Sequence, residues 1–416
     1  MKEHAGHRYC MPDLKYPRVR SFQAVLLLVC CLAFILPAAT FPANKLPAHI
    51  TKLLDVGERC EWAHDTTILM YVTGTGGEVR EINIKTRQTR SISNGQTGYY
   101  RAYYLSNGDY LLTKGPTRET ARLYLRDKGL SKPAVDLGII VREGAAVSRK
   151  QLKIAYTTDM SSIYTAEIKY TNGVPALWNA VEVVSNGNSV EPQNFRPPTE
   201  GELIYSCYGC GANEVYGVNL TTLSQVNYSN APSTKEEPEG ILPNGQFTLM
   251  ESDKHTICGD QCIDVYRLKL DGLGTNFTRL TYFFDETNSN GDHYKASNPS
   301  VRDDGMCFCF QEAVAGAAAG VGQGIYLYDM AAAGISDPPI VTDIRRFRAR
   351  SSNDVPAQPV GIFDLRGRML VSHTPDRAAG VSVPQSGVYI ASVTGLRGRT
   401  AERRFAVYMS GRQQGR

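Results

Sequence analysis

The chain has 416 residues, 42% hydrophobic and 21% charged, so it has room for two or three domains and is too apolar to be disordered as a whole. The formal net charge is only +4, because a basic C-terminal region offsets a slightly acidic remainder. With 38 glycines, and 23 tyrosines against 2 tryptophans, the composition favours many short strands joined by tight turns over long helices.

The first 40 residues have the order of a secretory signal peptide. Lys15, Arg18 and Arg20 precede an apolar run over 24–36, and small residues follow it, with a plausible cleavage point near Ala39. The run is short for a membrane span, although an uncleaved N-terminal anchor is the alternative. We therefore predict a signal peptide over 1–40 and an exported mature chain, which places its cysteines where disulfides persist.

Residues 46–345 repeat one pattern six times, with a period of roughly 40 to 50 residues. In each copy a short strand leads to a polar turn, an alternating apolar strand, a hairpin loop and a further strand with a central aromatic or valine. One such unit cannot bury both of its faces alone, whereas copies packed around an axis can. The pattern predicts an all-β, six-bladed β-propeller. A seven-bladed ring is the alternative, since residues 48–54 would supply either a closing strand or part of a further blade.

The clearest copy reads "NPSVRDDG" over 298–305, before the apolar stretch Cys307–Phe310. It resembles the blade motif of TolB-like propellers, which runs roughly Asn-Pro-x-Trp-Ser-Pro-Asp-Gly, and residues 61–65 and 242–245 match it in part. The resemblance implies the propeller fold. It is compatible with several functions, which include periplasmic scaffolds and pectic-oligosaccharide lyases that carry a multi-histidine metal site.

A change of composition follows the repeats. Residues 341–416 contain 13 arginines, no lysine and 5 acidic residues, and the polar, proline-bearing stretch over 346–358 is typical of a linker. Three strand-like pieces then follow within 359–408. They resemble a type A C-terminal sorting domain of type IX secretion cargo, and the matching residues are Asp364, Gly367, Arg368, Gly387 and Tyr389.

This second resemblance implies export across an outer membrane, with the type IX secretion machinery as a partner. We therefore expect a secreted or cell-surface protein, and a periplasmic location is the alternative. Because the basic residues lie among strand-like pieces, we expect no nucleic-acid partner, and membrane contact only through the signal segment.

Four cysteines form two short-spaced pairs at matching places in adjacent repeats, the loop before the third strand. They are Cys207, Cys210, Cys258 and Cys262. Two disulfides are the simpler expectation in an exported protein, and a zinc ion held by four thiolates is the alternative. Cys307 and Cys309 point to the same side of one strand, which indicates buried structural residues.

A second constellation precedes the strands that should line the central channel. Repeats place equivalent residues in a ring, so we predict a ligand site at the channel mouth. Its candidate residues are Arg101, Glu143, Glu191, Glu239, His293 and Asn298. Such a group would hold a sugar or a divalent cation, or would serve only to satisfy strand ends.

Enzyme motifs are scarce. The sequence has no Gly-x-Ser-x-Gly elbow, phosphate loop or His-Glu-x-x-His helix, and the histidines after the signal segment are scattered. We therefore expect a propeller that binds a glycan or a protein partner without catalysis and without a required cofactor. Two alternatives remain, a carbohydrate-active lyase or hydrolase that uses the channel carboxylates and a periplasmic scaffold of the TolB kind.

Overall fold

A computed structural model describes residues 41–230 and 233–335, together with the backbone of four strands between 360 and 409. The predicted signal segment over 1–40 and the predicted linker over 346–358 lie outside the described residues. The helical elements of the described part are three-residue 3₁₀ turns, none of which is long enough to cross a bilayer. These turns are Ala43–Lys45, Arg118–Thr120, Gly259–Gln261 and Phe283–Asp285.

Six antiparallel sheets of four strands form the blades of the propeller, and the first strand of each blade is the innermost. The first blade contains β2 to β5, at Glu58–Trp62, Ile68–Val72, Val79–Asn83 and Thr89–Ser91. The second contains β6 to β9, at Tyr99–Tyr104, Tyr110–Lys114, Arg122–Arg126 and Val135–Ile140. The third contains β10 to β13, at Ala145–Val147, Lys153–Tyr156, Ser162–Thr171 and Val174–Ser185.

The remaining blades repeat this order. The fourth contains β14 to β17, at Ser189–Phe195, Glu202–Tyr208, Glu214–Asn219 and Gln225–Asn227. The fifth contains β18 to β21, at Glu236–Ile241, Phe247–Ser252, Asp264–Lys269 and Phe277–Arg279. The sixth contains β22 to β24, at Tyr294–Val301, Cys307–Val314 and Gly324–Asp329, and takes its outermost strand, β1 at Ile50–Leu54, from the other end of the repeat array.

The ring is therefore closed by β1, which pairs antiparallel with β24. This confirms the six-bladed prediction and assigns residues 48–54 the closing role, so the seven-bladed alternative is wrong. Closure leaves no long unpaired edge between the first and last blades. Phe41, which precedes β1, also packs into the core of the sixth blade, and its backbone N–H donates to Glu312 Oε1 at 3.2 Å.

Apolar side chains from neighbouring blades form the core. At the junction of the first and sixth blades, Cys60 and Trp62 pack with Cys307 and Cys309, all of them buried. The Trp62 indole N–H donates to the backbone carbonyl of Ser300 at 3.1 Å, which joins the two blades by a buried hydrogen bond. Cys307 and Cys309 are free thiols in the core, on one side of β23, as their period-two spacing predicts.

The four paired cysteines form two disulfides, Cys207–Cys210 and Cys258–Cys262. Cys207 lies at the end of β15 and the other three lie in the loops that precede the third strands of the fourth and fifth blades. Each bridge stays within its own loop, so these four sulfurs do not serve as the thiolate ligands that the zinc alternative requires.

Four strands near the C-terminus form one antiparallel sheet in the order β26-β25-β27-β28. They are β25 to β28, at Val360–Phe363, Met369–His373, Gly387–Val393 and Arg403–Met409. Gly387 and Tyr389 lie on β27, whereas Asp364, Gly367 and Arg368 lie outside the described residues. The sheet agrees with strand-like pieces in this region, and the sorting domain itself stays a prediction.

Candidate functional site

A cavity of about 320 Å³ lies on the propeller axis, since residues from the first strands of all six blades surround it. It extends toward the hairpin turns that follow those strands. Its walls are mixed, because charged side chains line both the inner strands and the turns, and prolines and apolar side chains lie among them. Among the lining residues are Arg59, Arg101, Ala145, Glu191, Glu239 and Asn298.

The inner strands are irregular where they pass the cavity. Five of them shift register against their partner strands, which is the signature of β-bulges. Arg59 and Asn298, within two of these shifts, have φ of 53° and 48°, and Glu143, just before β10, has φ of 61°. Residues other than glycine rarely adopt such a backbone conformation, and backbone strain of this kind concentrates at functional sites.

Arg101 forms the centre of the polar floor of the cavity. Its guanidinium lies 3.3 Å from Glu191 Oε1 and 3.5 Å from Glu239 Oε2. Asn298 Nδ2 donates to the other oxygen of Glu239 at 2.9 Å. Four of the six residues predicted from the repeats are therefore brought together by four different blades.

The other two predicted residues are placed differently. Glu143 lies beside this group and is paired with Arg118, with 3.1 Å between Oε2 and the arginine Nε. His293 is exposed, stacks on Phe284 with ring centroids 4.3 Å apart and bonds that residue's carbonyl through Nδ1 at 2.7 Å. His293 does not line the cavity, because it precedes β22 and its ring packs back on the loop before that strand.

Several residues of the network were not predicted. The Tyr208 hydroxyl oxygen lies 2.7 Å from Glu191 Oε2 and 2.6 Å from Glu237 Oε1, and so bridges two carboxyl groups. Glu251 Oε1 accepts the backbone N–H of Asn298 at 2.8 Å. Tyr208 and Glu251 lie on second strands, where the repeat pattern shows only an apolar stretch, whereas Glu237 shares β18 with Glu239 and could have been found from that spacing.

Burial and crowding of carboxyl groups shift the acid–base equilibria of this network. Burial raises the pKa of Glu191 to about 8, helped by Glu237 and opposed by Arg101. Burial likewise raises the pKa of Glu239 to about 7 and that of Glu251 to about 7. Glu237 differs, because burial acts to raise its pKa but is outweighed by the combined effect of the Lys235 ion pair, the Tyr208 hydroxyl and Arg101, which leaves the pKa below the usual value. The floor of the cavity thus exchanges protons near neutral pH.

A second charged group lies at the mouth of the cavity, on the hairpin turns. Arg149 contacts Glu61 at 3.4 Å and Asp303 at 3.0 Å, and so links the third blade with the first and the sixth. His64 lies between Asp303 Oδ2, 3.0 Å from its Nδ1, and the carbonyl oxygen of Leu105, 3.1 Å from its Nε2. These contacts tie four blades together around the entrance.

Some buried polar atoms at the cavity have no hydrogen-bond partner among the described residues. They are Nη1 of Arg59, Nε of Arg101, Nδ2 of Asn194 and Oδ1 of Asn298. Buried polar atoms are normally paired, so three free donors and one free acceptor at one cavity indicate a place for a polar ligand. Within the described ranges no three residues of the types His, Cys, Asp and Glu are grouped to hold a metal ion.

No protein-family model matches the chain, and no curated protein matches it. Solved structures do match. A TolB from Agrobacterium tumefaciens is 12% identical, with 80% of this chain and 89% of that chain covered and a TM-score of 0.42. A gluconolactonase from Xanthomonas campestris is 14% identical over 67% and 89% of the two chains, with a TM-score of 0.46. An oligogalacturonate lyase from Vibrio parahaemolyticus is 12% identical over 68% and 92%, with a TM-score of 0.41. Likeness at this level carries no information about ligand or activity.

Proposed function

We propose that this protein is an exported β-propeller that binds a polar ligand, in the first place a glycan, in its axial cavity without transforming it. The observation that supports the proposal is the set of unpaired buried donors and acceptors at the cavity, on Arg59, Arg101, Asn194 and Asn298. Sugars present closely spaced hydroxyl groups that both donate and accept, and a pocket of mixed polar and apolar lining suits them.

A carbohydrate-active enzyme is the second candidate, and one observation favours it. A carboxyl group with a pKa of about 8, as in Glu191, is protonated at neutral pH and has the acidity of a general acid. Against this role, Arg101 and Tyr208 already engage both oxygens of the Glu191 carboxyl group. We therefore rank binding first.

The binding proposal is tested by filling the cavity. Val147 lines the cavity on β10, whereas Val181, on β13, is 55% exposed on the outer edge of the same blade. The change Val147→Trp should obstruct the cavity and abolish retention of the protein on a glycan array, and the matched change Val181→Trp should leave retention as in the wild type. Equal retention of both variants would place the ligand elsewhere.

The same experiment separates binding from catalysis. Glycans that are retained should be recovered at unchanged mass after prolonged incubation with the wild-type protein. Fragments or an unsaturated product, lost in the Val147→Trp variant and kept in Val181→Trp, would establish the enzyme instead.

We also propose that the signal segment and the C-terminal sorting region direct the protein to the cell surface or the medium through the type IX machinery. Support for this comes from the sequence resemblance over 359–408 and from the order of charged, apolar and small residues in the first 40 positions.

A further inference from the structure

Arg59 is the one cavity-lining arginine, within the part of the chain that the structure describes, whose side chain makes no hydrogen bond or ion pair. It lies on β2, is only 7% exposed, and its Nη1 atom is buried without a partner. The other arginines that line the cavity, which are Arg101, Arg149 and Arg302, each pair with a carboxylate. A buried guanidinium cannot shed its proton, so a missing counter-ion is costly for the folded state.

The surroundings do not supply the missing charge. Burial lowers the pKa of Arg59, and the nearby cations Arg101 and Arg118 act in the same direction. The neighbouring carboxylate Glu58 acts against this shift but forms no ion pair with Arg59, and its Oε2 accepts from Thr75 Oγ1 and from the backbone N–H of Gly322, each at 3.1 Å.

Glu239, the other acidic neighbour, is already shared between Arg101 and Asn298, with contacts of 3.5 and 2.9 Å. Its raised pKa of about 7 also means that it carries less than a full negative charge at neutral pH. Among the described residues, Arg59 therefore has no direct counter-ion at the floor of the cavity.

The fold makes room for this unpaired cation. A side chain at Gly320, in the loop between β23 and β24, would collide with the Arg59 guanidinium, so glycine is needed where that loop passes the arginine. The backbone at Arg59 itself is held in the left-handed region, with φ of 53°. Backbone strain of this kind clusters at ligand-binding sites, and here it coincides with an unpaired buried charge.

We propose that Arg59 binds an anionic group on the ligand of the axial cavity, a carboxylate or a sulfate or phosphate ester, so that the ligand is an acidic rather than a neutral glycan. This inference rests on the proposed binding function. Nη1 of the guanidinium offers a free, charged donor to an oxygen of such a group, and Arg101 Nε supplies a further free donor at the same cavity. The free Oδ1 of Asn298 would accept from a hydroxyl of the same ligand.

The test compares glucose with glucuronate, which differ by a carboxylate, and chloride with sulfate and phosphate at constant ionic strength. Calorimetry on the wild-type protein should show glucuronate binding at least about tenfold tighter than glucose, the size expected of a hydrogen bond to a charged group. Sulfate and phosphate represent the ester-type anions, and glucuronate represents the carboxylates. The anion class that binds more tightly and raises the melting temperature above that in chloride identifies the chemistry.

Two variants complete the test, Arg59→Met and the matched Arg122→Met. Arg122 is an exposed arginine paired with Asp136 at 2.7 Å on the outer strands of the second blade. Arg59→Met should bind glucuronate no better than glucose, and the ligand-free variant should be at least as stable as the wild type, because an unpaired buried charge is removed. Arg122→Met should retain the preference for the anion.

Three results would overturn the inference. In the first, the wild type binds glucose and glucuronate equally, and sulfate and phosphate neither bind nor raise the melting temperature. In the second, the Arg59→Met variant keeps the preference for the anion. The third is a marked loss of stability in ligand-free Arg59→Met, which would show a structural role. Because neutral glycans would still be retained on the array in the first case, failure here is distinguishable from failure of the proposed function.

Discussion

Buried carboxyl groups are the residues that most distinguish the axis of this propeller from an ordinary polar channel. Glu191 and Glu239 share one arginine, and Tyr208 joins Glu191 to Glu237. Like charges held in a buried site cannot all ionise together, so the protons are retained to a higher pH. An acid whose pKa is raised on folding stabilises the protein while it is protonated, and this contribution is lost as the pH rises from the unfolded to the folded value.

The variant Glu191→Gln tests whether the carboxyl group of Glu191 is held protonated in the folded protein. In the wild type the stabilisation should be lost between about pH 5 and the folded pKa of about 8. The variant cannot ionise at this position, so its free energy of unfolding relative to the wild type should increase with pH, by at least about 1 kcal/mol between pH 5 and pH 8. Urea denaturation at several pH values measures the difference.

The matched control is Glu182→Gln, an exposed glutamate on β13 that lies away from the cavity. Its effect on the free energy of unfolding should not vary with pH by more than a few tenths of a kcal/mol. If the difference between Glu191→Gln and the wild type is constant or falls with pH, the carboxyl group of Glu191 is not held protonated.

The closing strand is the element on which the whole ring depends. β1 pairs with β24 from Ile50 opposite Tyr328 to Leu54 opposite Ile325, although the two strands are more than 260 residues apart in sequence. Ile50 is buried in the core of the sixth blade, whereas Thr51 on the same strand is exposed. Neighbouring side chains on a strand point to opposite faces, so Ile50 packs in the core whereas Thr51 faces solvent.

Ile50→Ala should destabilise the folded protein by about 2 to 4 kcal/mol, because it removes buried methyl groups at the point of ring closure. Thr51→Ala, on the opposite face of the same strand, should change the free energy of unfolding by no more than about 0.5 kcal/mol. Chemical denaturation of the two variants compares them. Equal effects would mean that β1 adds backbone pairing to the sixth blade without a share of its core.

At the scale of the whole molecule, the blade sheets and the C-terminal sheet are built from separate parts of the chain. The blades use strands between Ile50 and Asp329, and the C-terminal sheet uses only strands between Val360 and Met409. A propeller whose ring is already closed by its own first strand has no need of a later segment for its hydrogen bonding.

Deletion of residues 355–416 should therefore leave the propeller folded while it changes the destination of the protein. In a host with the type IX system, fractionation should find the truncated protein in the periplasm and the full chain at the surface or in the medium. An unchanged thermal unfolding transition of the purified truncated protein is the control for folding. Surface display of the truncated protein at the wild-type level would remove the basis for the sorting proposal.

The sequence by itself determined the architecture, because each repeat carries local signals that act within one blade. The turn at Asp304-Gly305, where the glycine has φ of 70°, and the alternation of the strands that flank it suffice to predict a hairpin. Six copies of such a unit imply the ring. The strand-like stretch over 48–54, before the first copy, was one candidate for the strand that closes it.

Only the tertiary structure decided the composition of the site, because its members meet across blades. Glu191, Glu239 and Arg101 were predicted as one group, but Tyr208 and Glu251 join it from second strands, whose apolar pattern does not indicate them. His293 was predicted as part of the same group, but its ring packs on its own loop and does not line the cavity. Arg59 was not predicted, because its copy of the repeat is degenerate. The lack of a counter-ion also depends on which groups surround a side chain in three dimensions, and a local sequence pattern does not show this.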